Sequence, residues 1–124
     1  MMKNFIITVI LMASATCFGQ TKYFNTFTLI DNGKGKDVRD NIKLEIYSNS
    51  LSMTCKTFNF KNAQKTGKNE LYNDSKKGDM IATQYRTHYY EIILMRYVET
   101  PNEIYLKIVD INEHQEYLIH LHNT

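Results

Sequence analysis

Residues 89–98 read Tyr-Tyr-Glu-Ile-Ile-Leu-Met-Arg-Tyr-Val, the longest apolar run outside the extreme N-terminus. The run contains no Gly or Pro and is rich in β-branched and aromatic residues, which favours a β-strand. Alternation along a strand divides its side chains between two faces, and both faces are apolar. One face carries Glu91, Ile93, Met95 and Tyr97, and the other carries Tyr90, Ile92, Leu94, Arg96 and Val98. Because a solvated antiparallel sheet normally has one polar face, we expect a second layer or a closed barrel.

The first residues have the order of a secretory signal peptide. A short positive start at 1–4 precedes the apolar segment 5–13, and small residues follow at 14–19. We therefore predict a signal peptide over residues 1–19, with cleavage between Gly19 and Gln20, and cleavage after Ala15 as the alternative. The mature protein is expected to be secreted or periplasmic.

Cys17 raises the alternative of a lipid-anchored protein, since a lipid-modified cysteine becomes the new N-terminus. The lipobox context is absent, because Ser14 and Thr16 stand where a Leu-like residue and a small Gly or Ala are required. Membrane attachment is expected only if Cys17 is lipidated.

The composition describes an ordinary globular chain with a net charge of +2 and 43% hydrophobic residues over 124 residues. Export and near-neutral charge argue against a nucleic-acid partner. Cys55 is the single cysteine after the predicted cleavage site, so no internal disulfide is possible and the core must hold the fold. A buried thiol is the expected state of Cys55, and no cofactor is predicted.

Alternating patterns predict a first strand at 20–30 and a turn or mobile loop from Asp31 to about Asp40, marked by Asn32, Gly33 and Gly35. A hairpin follows over 41–47 and 51–55, with Ile46 opposite Leu51, Leu44 opposite Met53 and Ile42 opposite Cys55. Phe58 and Phe60 are out of phase with Met53 and Cys55, which indicates a bulge or bend near Thr57.

The stretch at about 61–79 is dense in Asn, Lys, Asp, Ser and Gly, and is predicted to be a long polar loop, with room for a short strand or helical turn at 69–73. A strand is expected at 80–87, with a break at 87–89 before the central run, and a turn at 99–102.

The last hairpin is predicted over 103–110 and 115–122, with Ile108 opposite Tyr117, Leu106 opposite Ile119 and Ile104 opposite Leu121. The same reasoning places Ile93, Met95 and Tyr97 of the central run against that apolar face. The sequence thus predicts a single all-β domain over 20–124, about seven antiparallel strands in a meander that forms a small barrel or sandwich.

The best metal-binding candidates are His120 and His122, because residues two apart on a strand project to the same side and can ligate one ion. Glu103 lies across the predicted hairpin from His122 and could supply a third ligand. The pattern predicts a metal or hydrolytic site at this end of the last hairpin.

No catalytic motif stands out, so the leading expectation is a non-enzymatic binding or envelope-associated interaction module with an unknown protein partner. The alternative is a barrel that binds an apolar small ligand. Its candidate contacts are the aromatic residues Phe58, Phe60, Tyr85, Tyr90 and Tyr97. A metal-binding or hydrolytic protein that uses His120 and His122 is the second alternative. A ligand binder should enclose an apolar cavity of about 300 Å³ or more, whereas an interaction module should be filled.

Overall fold

The computed structural model describes residues 19–100 and 102–124, and of Asp74 the backbone alone. The predicted signal peptide, with Cys17, therefore lies almost entirely outside the described residues. Nine β-strands and no helix occur in the part of the chain that is described. The strands are β1 (Gln20–Asp31), β2 (Lys34–Ile46), β3 (Ser50–Thr54), β4 (Asn59–Lys65), β5 (Glu70–Asp74), β6 (Gly78–Arg86), β7 (Tyr90–Tyr97), β8 (Ile104–Asp110) and β9 (Gln115–His122).

All strands join one antiparallel sheet that closes on itself. Their order is β4-β3-β2-β1-β9-β8-β7-β6-β5, and an additional pairing of β4 with β6 closes the ring. Eight strands thus form a barrel, and β5 is an extra strand beside the first half of β6. The predicted all-β antiparallel fold is confirmed, and of the two expected architectures the barrel is the one observed.

The two predicted hairpins have the expected registers. Leu44 lies opposite Met53 and Ile46 opposite Leu51 in the β2–β3 pair. In the β8–β9 pair, the three expected pairs are present, namely Ile104 with Leu121, Leu106 with Ile119 and Ile108 with Tyr117. These registers hold because a slip of one residue would turn each apolar face to solvent.

The prediction of which face of the central strand meets β8 is wrong, because the register of the two strands differs by one residue from the predicted one. Leu94 of β7 lies opposite Leu106, and Ile92 lies opposite Ile108, and all four side chains have zero exposure. Ile93 and Met95 therefore point outward and are only partly buried. Since side chains alternate along a strand, the one-residue difference in register exchanges the two faces completely.

The predicted loop from Asp31 to about Asp40 is replaced by a tight turn. Asn32 and Gly33 have φ angles of 52° and 78°, and Asp31 pairs directly with Lys34. Two residues with positive φ make the hairpin turn whose twist matches that of the flanking strands. Strand β2 consequently begins at Lys34 and is 13 residues long.

The predicted polar loop at 61–79 is largely strand. Strand β4 runs through its beginning and β5 crosses its middle, where the sequence allowed a short strand. Backbone pairing to β3 and β6 supplies the hydrogen bonds that the polar composition does not reveal. The out-of-phase apolar residues near Thr57 reflect a turn between β3 and β4, where the amide of Cys55 donates to the carbonyl of Phe58 at 3.1 Å.

The interior of the barrel is packed with aliphatic and aromatic side chains from every barrel strand. Twelve large side chains are completely or almost completely buried: Phe27, Ile42, Leu44, Leu51, Met53, Ile92, Leu94, Ile104, Leu106, Ile108, Ile119 and Leu121. Cys55 belongs to this core, and burial raises the pKa of its thiol. The hydrophobic effect of this interior is the main source of stability, because the described chain has no disulfide.

Candidate functional site: the groove at the barrel seam

The closure between β4 and β6 is the weakest part of the barrel wall. Only Gln64 with Arg86 and Lys65 with Tyr85 pair across it. Before Gln64, the strand residues 59–63 pair with β3 on one side and, among the described residues, with no strand on the other. The wall is thus open between the first half of β4 and the turn that joins β6 to β7.

A β-bulge shapes β4 beside this opening. Its register against β3 shifts between Leu51 and Met53, so that an extra residue stands on β4. Asn62 lies in the bulge and has a φ of 53°, a left-handed conformation that Asn tolerates better than most residues. Its amide donates to Oγ of the buried Ser52 at 2.9 Å, which holds the bulge in place.

The opening forms a groove of about 690 Å³. Its lining comes from β4 and from the β6–β7 turn: Asn59, Phe60, Lys61, Asn62, Gln64, Arg86, Thr87, His88, Tyr89 and Tyr90. Three of these residues are aromatic, three are basic or can become so, and none is acidic. The groove therefore offers flat apolar surface together with positive charge.

The β6–β7 turn presents its tyrosines in a fixed way. Oγ1 of Thr87 accepts hydrogen bonds from the amides of Tyr89 and Tyr90 at 3.1 and 2.9 Å. The ring of Tyr89 is 62% exposed, whereas Tyr90 is partly buried and its ring centroid lies 6.3 Å from that of Phe60. The turn thus leaves one aromatic side chain free in solvent and anchors the next against the core.

The basic side chains of the groove are available to a partner. Arg86 lies 3.6 Å from Glu91, but both side chains are more than half exposed. An exposed ion pair of this kind contributes only about 0.2–1 kcal/mol, so the guanidinium of Arg86 can leave Glu91 and bind a carboxylate of a partner. Lys61 on β4 is also exposed and lines the same groove.

The aromatic residues predicted to contact a ligand are dispersed. Phe60 and Tyr90 meet at the groove, but Phe58 lies in the core, where its ring is 5.9 Å from that of Phe27. Tyr85 is also buried, and burial raises the pKa of its phenol. Tyr97 lies on the outer face, with its ring 5.9 Å from that of Tyr105. The structure therefore brings two of the five residues together.

The predicted metal ligands lie on the outer face of β8 and β9. His120 stacks on Tyr105 at 4.4 Å, and its ring is 5.2 Å from that of His122. Burial, and then the charge of His122, lower the pKa of His120. Nε2 of His122 lies 2.7 Å from Oγ1 of Thr28.

Glu103 does not join the two histidines. Its Oε1 accepts hydrogen bonds from the ammonium of Lys77 at 2.6 Å and from the hydroxyl of Tyr105 at 2.8 Å. Within residues 19–100 and 102–124, no group of three His, Cys, Asp or Glu side chains is placed to hold a metal ion. Two neighbouring imidazoles remain, without the third ligand that the sequence suggested.

Of the ten residues that line the groove, the sequence nominated Phe60 and Tyr90 as ligand contacts and missed the other eight, among them Lys61, Asn62, Arg86 and Tyr89. The predicted break at 87–89 was a signal for its turn, since this turn forms one wall. No comparable signal marks β4, because a bulge depends on which residue of β3 lies opposite.

Comparison of the chain with protein-family models, with curated proteins and with solved structures found no match. The fold defines a small closed antiparallel β-barrel, whose candidate site is the groove at the seam. The described residues include no helix of the length and hydropathy that crossing a membrane requires.

Proposed function

We propose that this domain is a non-enzymatic interaction module that binds an extended segment of a partner protein in the seam groove. One observation carries the proposal: no strand of the described residues pairs with the outer edge of β4 at 59–63, which lies beside an aromatic and basic groove. The prediction that the protein is secreted or periplasmic places the partner in the same compartment.

The free edge favours an extended peptide as the occupant. A segment that adds to a sheet edge gains main-chain hydrogen bonds from the strand, and its alternate side chains enter neighbouring pockets. The bulge at Asn62 and the exposed Lys61 are features that restrain uncontrolled pairing of exposed edges. They limit the edge to a short partner strand.

The lining favours a segment with acidic and apolar side chains. Lys61 and Arg86 attract carboxylates, and the carboxylate near them, that of Glu91, pairs with Arg86 only through an exposed contact. The exposed side chain of Tyr89 and the partly buried Tyr90, which packs on the buried Phe60, offer contact area for apolar side chains. Aromatic and Arg side chains are the residues that most often dominate binding energy at interfaces.

The filled interior supports an interaction module over the apolar-ligand alternative. The inward-facing residues of the strands opposite the seam, such as Leu44, Leu106 and Ile119, have zero exposure. An apolar ligand inside the barrel would have to displace them. The groove on the wall needs no such displacement.

Selection of peptides from a random displayed library on the purified protein tests the proposal. We expect enriched peptides to combine acidic with aromatic or aliphatic residues. Fluorescence polarisation should show at least tenfold weaker binding to a protein with K61E and R86E than to the wild type. A matched variant with K34E and K36E, exposed residues at the start of β2, should bind like the wild type.

Amide hydrogen exchange provides the second readout. Binding by strand addition should slow exchange of those amides within 59–63 that face away from β3, whereas the amide of Asn62 already donates to Oγ of Ser52. Absence of any enriched peptide, or equal binding to the two charge-reversed variants, would overturn the proposal. Peptides that bind without protecting 59–63 would overturn the strand-addition mode.

A further inference from the structure

Arg96 is an unusual residue for its place in the barrel. It stands two positions after Leu94 and four after Ile92 on β7, both of which point into the core with zero exposure. Alternation therefore directs the Arg96 side chain to the inside, and its strand partner on β8 is the fully buried Ile104. Arg96 itself is partly buried, so it lies where the apolar interior meets solvent.

Among the side chains that the structure describes, no carboxylate forms an ion pair with Arg96. A guanidinium cannot lose its proton at ordinary pH, and a partly desolvated cation is unfavourable without a partner. An anion at this position would therefore be favourable.

Arg96 lines a concavity of about 350 Å³ at this end of the barrel. Lys65 of β4 lies on its other side, two residues after the buried Ala63 and so on the same inward face. No Asp or Glu belongs to the lining. Two cations from opposite sides of the seam thus converge on one opening, which we call the barrel mouth.

Neutral polar groups complete the barrel mouth. The hydroxyl of Thr83 is buried and donates to Oδ1 of Asn69 at 2.9 Å, which holds that amide in position. The phenol of Tyr85 is buried nearby, and the charge of Arg96 acts to lower its pKa against the larger effect of burial. The phenol of Tyr85 and the side-chain NH₂ of Asn69 are donors beside two cations, and such a set suits oxygen atoms that carry negative charge.

We propose that the barrel mouth binds a small organic anion, whose carboxylate or phosphate group is held by Arg96 and Lys65. The planar guanidinium matches two oxygens of either group. The volume is at the lower end of the range of about 300–1,000 Å³ for small-molecule sites, so the ligand is small. This site is separate from the seam groove and does not depend on the interaction proposed for it.

Thermal unfolding and NMR titration of the purified protein test the proposal, with inorganic phosphate and butanoate as probes and sodium chloride at equal ionic strength as the reference. We expect one or both probes to raise the melting temperature above the reference, because a ligand of the native state stabilises it. The Nε–Hε signal of Arg96 should shift with the same saturation curve. A response to phosphate alone identifies a phosphoryl ligand, and a response to butanoate alone identifies a carboxylate.

R96M separates the site from general salt effects. Methionine retains the length and apolar stem of the side chain, so the variant should fold at least as stably as the wild type but bind the probes at least tenfold more weakly. R39M removes an exposed arginine from the outside of β2 and should leave binding unchanged. If R96M fails to fold, K65M should give the same loss in smaller degree. Equal responses of wild type and R96M, or no response to either probe beyond sodium chloride, would overturn the proposal.

Discussion

The ammonium of Lys77 lies 2.6 Å from Oε1 of Glu103 and joins two distant turns of the barrel. Lys77 directly precedes β6, and Glu103 directly precedes β8. The hydroxyl of Tyr105 shares the interaction, because it accepts from Lys77 at 3.0 Å and donates to Glu103 at 2.8 Å. The pair thus spans β7 and holds the ends of its two neighbours together.

Replacement of this carboxylate should weaken the fold in a pH-dependent way. The hydrogen bond from Lys77 lowers the pKa of Glu103, so its stabilising effect is present above the ordinary glutamate value and is lost as pH falls through the lowered value. E103Q should reduce the free energy of unfolding by about 0.2–1 kcal/mol at neutral pH, since the pair is partly exposed. The difference should vanish in acid.

Urea denaturation of wild type and E103Q at pH 7 and in acid measures this difference. E113Q changes an exposed turn residue and serves as the control. A deficit in E103Q that persists unchanged in acid would show that the effect is not electrostatic.

The orientation of β7 predicts two different mutational effects on adjacent residues. Leu94 is fully buried, and L94A should lower the free energy of unfolding by about 2–5 kcal/mol through lost burial and a cavity. Ile93 points outward and is partly buried, so I93A should lower it by less than about 1.5 kcal/mol. Equilibrium denaturation of both variants measures the contrast. Equal losses would place both side chains in the core and contradict the register.

This contrast also shows what the sequence could and could not predict. The hairpins at Leu44–Met53 and Leu106–Ile119 were predictable, because each has one apolar and one polar face joined by a short turn. The face of β7 was not, because Ile92 and Ile93 are equally apolar and the connection to β8 does not set the register. Apolar pattern determines register only where the two faces differ.

The candidate sites were less accessible to sequence reasoning for a related reason. The seam groove depends on where β4 meets β6, because the barrel closes through the pairs Gln64–Arg86 and Lys65–Tyr85. Likewise, the sequence does not show that Arg96 faces the core, because this follows only once Leu94 is known to point inward. Both features result from long-range pairing, which local patterns do not encode.

His120 should titrate below the ordinary histidine range. Burial against Tyr105 and the neighbouring charge of His122 both lower its pKa. Its contribution to stability is therefore full above about pH 6.5 and decreases as pH falls below that value, because the unfolded chain then binds the proton more readily. NMR titration of the His120 ring should give a midpoint below 6.5, and H122Q should move that midpoint upward. A midpoint unaffected by H122Q would show that the charge of His122 does not lower the pKa of His120.

The turn at Asn32 and Gly33 allows backbone strain to be measured apart from contacts. A Cβ at Gly33 would meet nothing within 4 Å, but the φ of +78° is unfavourable for alanine. G33A should therefore lower the free energy of unfolding by about 1–2 kcal/mol. Gly67 is equally open and has no positive φ, so G67A should be neutral or stabilise by up to about 1 kcal/mol through the unfolded chain. Urea denaturation midpoints of G33A and G67A measure this difference in stability. Equal midpoints would mean that β1 and β2 do not need a left-handed turn, and that the two-residue hairpin does not set their register.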